Sequence, residues 1–215
     1  MHHSRSARQA LKHSSRARRP SAKPAPRQPS STLRIIGGEW RGRKLQFSAA
    51  EGLRPTGDRV RETLFNWLMP SLHGARCLDL FAGSGALGLE ALSRGAAHVT
   101  FLDNHAPSAR QIEAHLQLLG CDRGRALQAD TLQWLQQTPA EACDIVFVDP
   151  PFQLDLWPSC LQQLETGGWL GDEALIYVET PRAYPLSAPT GWEQLREKQA
   201  GEVCFRLFCR ATTLE

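Results

Sequence analysis

The 215-residue chain has no apolar run long enough to cross a membrane and no CxxC pair. A membrane-spanning helix needs about 18 or more apolar residues in succession, and no apolar signal-peptide core follows the N-terminus. The six cysteines, at positions 77, 121, 143, 160, 204 and 209, are dispersed, which indicates neither a zinc knuckle nor a disulfide framework. We therefore expect a cytoplasmic protein whose cysteines are mostly small buried residues.

Acidic residues are absent from residues 1–32, which are rich in Ser, Arg, Pro and Ala. Residues 1–61 carry 15 basic and 3 acidic residues, whereas residues 62–215 carry 10 and 19, so the formal net charges are +12 and −9. The composition predicts a disordered basic tail over residues 1–32, since it cannot bury enough apolar surface to fold. A polyanion, most plausibly nucleic acid, is its expected partner. A solubilising tail and an organelle transit peptide are the alternatives.

The histidines form no metal-binding pattern, because three of them lie in the tail, at positions 2, 3 and 13, and the others are scattered. No coiled-coil seam is present either. We therefore assign no metal and expect a monomer. The composition as a whole, 41% hydrophobic and 22% charged, is typical of a globular protein with a packed core.

Order is predicted to begin near Leu33. The segment 33–47 predicts two short strands joined by a Gly-rich turn, and a helix with one apolar face follows Pro55. Basic side chains gather in both elements and are candidates for gripping phosphates, with little discrimination between bases. These basic residues are Arg41, Arg43 and Lys44 in the turn, and Arg54, Arg59 and Arg61 at the start of the helix.

From residue 75 onward, short apolar strands alternate with helices. This alternation predicts an α/β fold, a parallel sheet covered on both faces. The final strand pair is joined too tightly for a helical crossover, so the last strand must run antiparallel. The predicted strands are Cys77–Ala82, His98–Asp103, Arg125–Ala129, Asp144–Val148 and Ala174–Glu179, then 193–198 and 203–210.

A glycine-rich turn joins the first of these strands to a helix, with the sequence Leu78-Asp-Leu-Phe-Ala-Gly-Ser-Gly-Ala-Leu-Gly88. Glycines let the backbone approach a ligand closely, and Asp103, at the end of the next strand, could accept hydrogen bonds from a ribose diol. A nucleoside-containing cofactor is therefore expected. Because the motif matches G-x-G-x-x-G, a nicotinamide enzyme is a rival, and a helix-packing turn without a ligand is the structural alternative.

Two further acids distinguish the cofactors. Asp79 lies in the first strand and Asp130 follows the third. A pyrophosphate needs the free amides of a helix N-terminus, whereas nearby acids favour a cationic ligand such as the sulfonium and amino groups of S-adenosylmethionine. Asp79 could instead be a buried residue that fixes the turn through hydrogen bonds.

The sequence Asp149-Pro-Pro-Phe152 follows the fourth strand, where open α/β sheets bind their ligands. Two prolines stiffen this turn and remove two backbone donors. The carboxylate of Asp149 and the Pro150 carbonyl could accept the two N–H groups of a nucleobase amine, while the base stacks on Phe152. A rigid exit loop is the structural alternative. The turn therefore predicts transfer of a methyl group to a conjugated amine.

These motifs resemble those of class I S-adenosylmethionine-dependent methyltransferases that act on amino groups. Arg34-Ile-Ile-Gly-Gly-Glu-Trp-Arg-Gly-Arg-Lys44 and Arg54-Pro-Thr-Gly-Asp-Arg-Val-Arg-Glu-Thr-Leu-Phe-Asn66 closely resemble the RsmD-type 16S rRNA guanine-N2 methyltransferases. The similarity spans residues 33–210 and leaves out the tail. It implies a Rossmann-like seven-stranded sheet with one reversed strand. It also implies methylation of a guanine amino group in 16S rRNA, in an assembled or partly assembled 30S subunit.

The resemblance also assigns site residues and a domain plan. Residues 33–74 become an RNA-contacting extension of a catalytic domain over 75–215, with Arg34 added to the RNA-binding residues and Thr56 placed at the border of the active site. Many relatives have Glu where this chain has Asp103. The base would be held by Asp149, Pro150, Pro151 and Phe152. The cofactor would be held by Asp79, Phe81, Ala82, Gly83, Ser84, Gly85, Gly88, Asp103, Asn104, Asp130 and Thr131.

Three other activities remain open from the sequence. A similar turn could present another conjugated amine, that of adenine or a glutamine amide, for methylation. The glycine motif also allows an NAD-dependent oxidoreductase, although no substrate domain or proton donor is evident. A non-catalytic RNA-binding protein that keeps the fold is the third possibility.

Overall fold

The computed structural model describes residues 30–48 and 56–211. Most of the predicted tail, residues 1–29, and Arg54 lie outside the described residues. Nine strands and five α-helices are formed over the described part of the chain. In chain order they are β1 (Ser30–Arg34), β2 (Lys44–Ser48), α1 (Asp58–Leu72), β3 (Arg76–Asp79), α2 (Ala86–Ser93), β4 (His98–Asp103), α3 (Ala106–Leu118), β5 (Gly124–Gln128), α4 (Thr131–Leu135), β6 (Cys143–Val148), α5 (Trp157–Thr166), β7 (Leu170–Pro181), β8 (Trp192–Ala200) and β9 (Val203–Arg210), with one 3₁₀ turn at Phe152–Leu154.

Seven of the strands form one sheet in the order β5-β4-β3-β6-β7-β9-β8. Strands β3 to β7 run parallel to one another, whereas β9 lies antiparallel between β7 and β8. The predicted α/β fold with a reversed last strand is confirmed. Because the chain leaves β3 toward β4 on one side and returns as β6 on the other, the carboxyl ends of β3 and β6 border the crevice where such sheets bind ligands.

Hydrophobic clusters cover both faces of this sheet. One cluster joins the apolar faces of α1, α2 and α3 to alternate residues of the central strands, including Phe147 and Tyr177. The other joins α4 and α5 to the intervening residues, including Val146 and Val178. Successive residues of a strand point to opposite faces, so the uninterrupted apolar runs of β6 and β7 follow from burial on both sides.

The hairpin β1–β2 is fastened to the body by the buried carboxylate of Glu90. Its two oxygens accept the backbone N–H groups of Ile36 and Gly37, each at 2.8 Å. Arg61 and Arg94 lie against the same carboxylate, at 3.6 and 2.7 Å. Apolar side chains of the hairpin belong to the same core cluster as α1 and the sheet. The extension and the sheet therefore share one core, and the first strand begins three residues before Leu33, at Ser30.

Strand β7 is much longer than the sequence predicts, since it extends from Leu170 to Pro181. Its first residues pair with β6 through an irregular register between Cys143 and Ile145. Glu173 in this stretch has a φ of 58°, a left-handed conformation that a residue with a side chain seldom adopts in a strand.

None of the helices in the described part of the chain is long and apolar enough to span a membrane.

Candidate active site

The glycine-rich turn leads from Asp79, at the end of β3, into α2. Gly83 and Gly85 have φ values of 52° and 78°, which glycine adopts without steric cost. Gly88 serves a different purpose, because a Cβ there would lie 2.1 Å from a ring carbon of Phe101. Glycine thus shapes the backbone at the first two positions and lets α2 pack closely on β4 at the third.

The carboxylate of Asp103 lies across this turn at the end of β4. Its Oδ2 accepts the N–H of Gly83 at 2.8 Å, and its Oδ1 accepts the N–H of His105 at 2.7 Å. Burial raises the pKa of this carboxyl group, and the two N–H donors oppose that shift. Each carboxylate oxygen can accept more than one hydrogen bond. Asp103 is therefore held in place by the turn and retains the capacity to accept the hydroxyls of a ribose.

Asp79 is buried directly beneath the turn. Its Oδ2 accepts the N–H of Gly88 at 3.2 Å. Burial, with a smaller contribution from the charge of Asp103, raises the pKa of Asp79 to about 7. The carboxylate thus anchors the first turn of α2, as expected if Asp79 is a buried residue that fixes the turn. It also supplies negative charge, and a cationic ligand bound nearby would reduce the energetic cost of burying this carboxylate.

The Asp149–Phe152 turn begins where β6 ends. The Thr56 hydroxyl, just before α1, lies 3.5 Å from Oδ2 of Asp149. Burial, followed by the charges of Glu179 and Asp79, raises the pKa of Asp149 well above its ordinary value. The ring of Phe152 packs against Trp157 with 5.8 Å between the centroids. These contacts hold the carboxylate and the aromatic ring of the turn in fixed positions.

Within the same turn the two prolines differ. Pro150 is buried and Pro151 is exposed. The Pro151 carbonyl accepts the N–H of Leu154 at 3.0 Å and closes the 3₁₀ turn. Of the two proline carbonyls, that of Pro151 is thus engaged within the turn, which fits the expectation that the Pro150 carbonyl is the one that serves a substrate.

Register brings a third carboxylate, that of the buried Glu179 on β7, to this edge of the sheet. Phe147 pairs with Asp79 on one side and with Tyr177 on the other. Asp149 and Glu179 each follow this row by two residues and lie on the same face, because side chains alternate along a strand. The Tyr177 hydroxyl donates to Glu179 Oε2 at 2.7 Å. Sequence reasoning missed Glu179; the only hint was an acid near the end of an apolar strand.

The remaining predicted cofactor residues fall into two groups. Asp130 is exposed and caps α4, where its Oδ1 accepts the N–H of Gln133 at 2.9 Å. Thr131 is buried, and its hydroxyl donates to the carbonyl of Leu80 at 2.7 Å. Thr131 thus ties α4 to the turn, and its contact with the cofactor stays a prediction. Asn104 is exposed beside Asp103. The turn itself contains the half-buried Phe81 and the buried Ala82 and Ser84.

The predicted RNA-binding residues are also divided by burial. Arg61 has only 1% of its surface exposed, and its guanidinium pairs with Asp58 and donates to the carbonyl of Arg34. The prediction that Arg61 grips phosphates is wrong, because its charge is needed inside the protein by Asp58 and Glu90. The predicted residues that are exposed are Arg34, Arg41, Arg43, Lys44 and Arg59. Trp40, in the hairpin turn, is buried and packs in the core cluster rather than facing solvent.

Comparison with known proteins identifies the family. The family model described as "Conserved hypothetical protein 95" matches residues 33–209. The chain belongs to this family. The Ribosomal RNA small subunit methyltransferase D of Escherichia coli K12 is 50% identical over 184 residues, covering 84% of this chain and 91% of that protein. The protein of the same name from Haemophilus influenzae is 49% identical over 179 residues, covering 82% and 93%.

A solved structure shows the same architecture. The putative methyltransferase yhhF from Escherichia coli superposes with a TM-score of 0.80 at 47% identity, covering 84% of this chain and 99% of that one. The predicted resemblance to RsmD-type enzymes and the predicted methyltransferase fold are confirmed. Because about half of its residues are identical to those of these two rRNA small subunit methyltransferases over more than nine tenths of their lengths, this chain is a methyltransferase. Within residues 30–48 and 56–211, no group of three or more His, Cys, Asp or Glu is arranged to hold a metal ion.

Proposed function

We propose that this protein transfers a methyl group from S-adenosylmethionine to the exocyclic amino group of a guanine in 16S rRNA. The substrate is an assembled or partly assembled 30S subunit in the cytoplasm. One observation carries the proposal. The Asp149–Phe152 turn follows β6, and the glycine turn follows β3, its neighbour in the sheet. An amine acceptor and a nucleoside cradle therefore share one crevice at the carboxyl edge of the sheet.

The residues around the glycine turn fit the proposed cofactor. Asp103, already oriented by Gly83 and His105, would accept the ribose hydroxyls. Asp79, whose buried charge is costly in the free protein, would offset the positive charge of the ligand. A dinucleotide would instead bring a pyrophosphate toward these carboxylates, an unfavourable approach. When bound, S-adenosylmethionine supplies an electrophilic methyl group on a cationic sulfur.

The Asp149–Phe152 turn would prepare the amine for transfer. A guanine amino group is a weak nucleophile because its lone pair is delocalised into the ring. If the Asp149 carboxylate and the Pro150 carbonyl accept its two N–H groups, the nitrogen is drawn toward sp³ geometry and its lone pair is aimed out of the ring plane. Phe152, braced by Trp157, would stack on the base. Transfer would break the sulfur–methyl bond, leave neutral S-adenosylhomocysteine and release one proton from the amine. The contribution of the protein is thus position and charge stabilisation.

The hairpin and the start of α1 would hold the RNA backbone. Arg41, Arg43 and Lys44 are exposed on the hairpin turn, and Arg59 is exposed near Thr56 at the border of the site. Such residues provide affinity that falls with salt, with little discrimination between bases. A base that is paired in a helix cannot reach a stacked pocket, so the target guanine must be unpaired or extruded.

Mass spectrometry of the modified nucleoside tests this function directly. The full chain is incubated with S-adenosylmethionine and 30S subunits from cells that lack it, and the rRNA is digested to nucleosides. We expect N2-methylguanosine at close to one per subunit, and we expect incorporation into 30S particles to exceed that into naked 16S rRNA. A methylated adenine, a methylated ribosomal protein or no incorporation at all would overturn the proposal.

A further inference from the structure

The carboxylate of Glu179 lies beside the proposed acceptor of the amine and is held there by its neighbours. Glu179 is 7% exposed, and the Tyr177 hydroxyl donates to its Oε2 at 2.7 Å. The Trp157 indole N–H donates to its backbone carbonyl at 2.8 Å. Val148 on β6 pairs with Val178 on β7, so Asp149 and Glu179 are the next residues along two adjacent strands. Two carboxylates therefore occupy neighbouring positions where β6 ends beside β7.

The proximity of the two carboxylates is unfavourable for the stability of the folded protein. Two adjacent carboxylates, one buried and one half-buried, disfavour each other's charged form, and the charge of Glu179 contributes to the raised pKa of Asp149. Apolar residues of similar size would be more stable in such a place. Groups kept at this cost concentrate in functional sites. A ligand that donates hydrogen bonds to both carboxylates would relieve the conflict.

Guanine has the edge that fits two acceptors. Its N1–H and its N2 amino group are adjacent donors. Adenine presents its N6 amino group beside N1, an acceptor, and a glutamine amide presents its NH₂ beside a carbonyl oxygen. Opposite two carboxylates, each of these alternatives would place an acceptor against an acceptor. A site whose polar groups are left unpaired by the wrong substrate rejects it strongly.

We propose that Glu179 accepts the N1–H of the target guanine while Asp149 accepts its amino group, so that the pair of carboxylates selects guanine. Tyr177 is then a positioning residue, since its hydroxyl fixes one oxygen of Glu179. The inference rests on the proposed methylation of a guanine amino group and adds the element that chooses the base.

Replacement of the hydrogen-bond donor at N1 of the target base by an acceptor tests the inference. RNA containing the mapped target is made with guanine or with 2,6-diaminopurine, which keeps the N2 amino group but has an acceptor at N1. The full-length wild type should strongly prefer guanine. Glu179→Gln should lower kcat/KM for guanine about 10- to 100-fold, as expected for loss of a charged hydrogen bond. Because an amide N–H can donate to N1, it should also raise the relative rate on diaminopurine.

Further variants separate specificity from folding. Glu179→Asp keeps the charge but shortens its reach, so it should lose activity on guanine without gaining any on diaminopurine. Glu202→Gln, at an exposed position in the β8–β9 turn, should change neither rate nor preference. Unchanged base preference in both Glu179 variants, or equal use of the two bases by the wild type, would overturn the inference. A wild type that methylates neither RNA would instead refute the proposed function on which the inference rests.

Discussion

The backbone N–H of Gly83 donates to the carboxylate of Asp103 at 2.8 Å. This bond links the turn after β3 to the end of β4, the two strands that border the proposed nucleoside cradle. The second oxygen of Asp103 is fixed by the N–H of His105. The ribose acceptor is thus oriented before any ligand binds, which reduces the entropy lost on binding.

Asp103→Asn should weaken binding of S-adenosylhomocysteine at least about 10-fold, because an amide NH₂ would face one of two backbone N–H donors and a charged acceptor is lost. Isothermal titration calorimetry measures the change. Asp103→Glu, which keeps the charge, should retain most of the affinity. Asp122→Asn, at an exposed position beyond α3, is the control. Equal affinity of the wild type and Asp103→Asn would show that Asp103 does not hold the ligand.

Gly88→Ala should destabilise the fold, since its Cβ would lie 2.1 Å from the Phe101 ring and the two elements cannot both keep their positions. Overpacking of this kind costs about 1–3 kcal/mol, or a decrease in Tm of several degrees for a chain of this size. Gly57→Ala is the matched control, because a Cβ there meets nothing within 4 Å. Differential scanning calorimetry should show a loss for the first variant only; similar Tm values for both would contradict close packing of α2 on β4.

The exposed hairpin cations should control how RNA affinity depends on salt. Simultaneous substitution of Arg41, Arg43 and Lys44 by Gln should make the plot of log affinity against log salt less steep. The magnitude of its slope should fall by about 2 to 3 if each cation neutralises one phosphate. Fluorescence anisotropy with 16S rRNA fragments at several salt concentrations measures this slope.

Arg61 provides the contrast within the same basic region. Its guanidinium is buried against Asp58 and Glu90, so Arg61→Gln should lower Tm and leave the salt slope of the folded protein unchanged. If the triple hairpin variant keeps the slope of the wild type, the hairpin does not contact the RNA backbone.

The raised pKa of Asp79 should make the free energy of unfolding of the ligand-free protein depend on pH in an unusual direction. Its folded-state pKa of about 7 lies above the ordinary value of 3.8 for an aspartate, so the folded state binds the proton more tightly. The free energy of unfolding should therefore fall as pH rises from about 4 to about 7, and this contribution should be constant above that range. The total contribution is of the order of 4 kcal/mol.

Asp79→Asn keeps an acceptor for Gly88 but cannot ionise. Urea unfolding between pH 5 and 8 should show a shallower decline for this variant than for the wild type. Parallel curves for the two proteins would mean that burial of the Asp79 charge does not limit stability.

The local sequence pattern was sufficient to predict strands whose residues are mostly buried. The sequence predicted β4 and β9 with the bounds that the structure has, because both are apolar runs ended by turn or polar residues. The first residues of β7 were missed because Gly171-Asp-Glu173 is typical of a turn, and only the irregular pairing with β6 makes it a strand.

The site required long-range information as well. Asp149 and Asp103 could be predicted because each follows or ends a strand at the carboxyl edge of a parallel sheet. Arg61 was assigned to RNA because its neighbours along the chain are basic, whereas its partner Glu90 lies on another helix. Glu179 has no motif of its own, and only the register of β6 and β7 places it beside Asp149.

The central claim is that the Asp149 carboxylate prepares the amine for methyl transfer. Single-turnover methylation of 30S subunits by Asp149→Ala, with S-adenosylhomocysteine affinity measured on the same preparation, tests it most directly. We predict a rate at least about 100-fold below that of the wild type, with cofactor affinity essentially retained. A full rate of transfer in a variant that binds the cofactor normally would contradict the account.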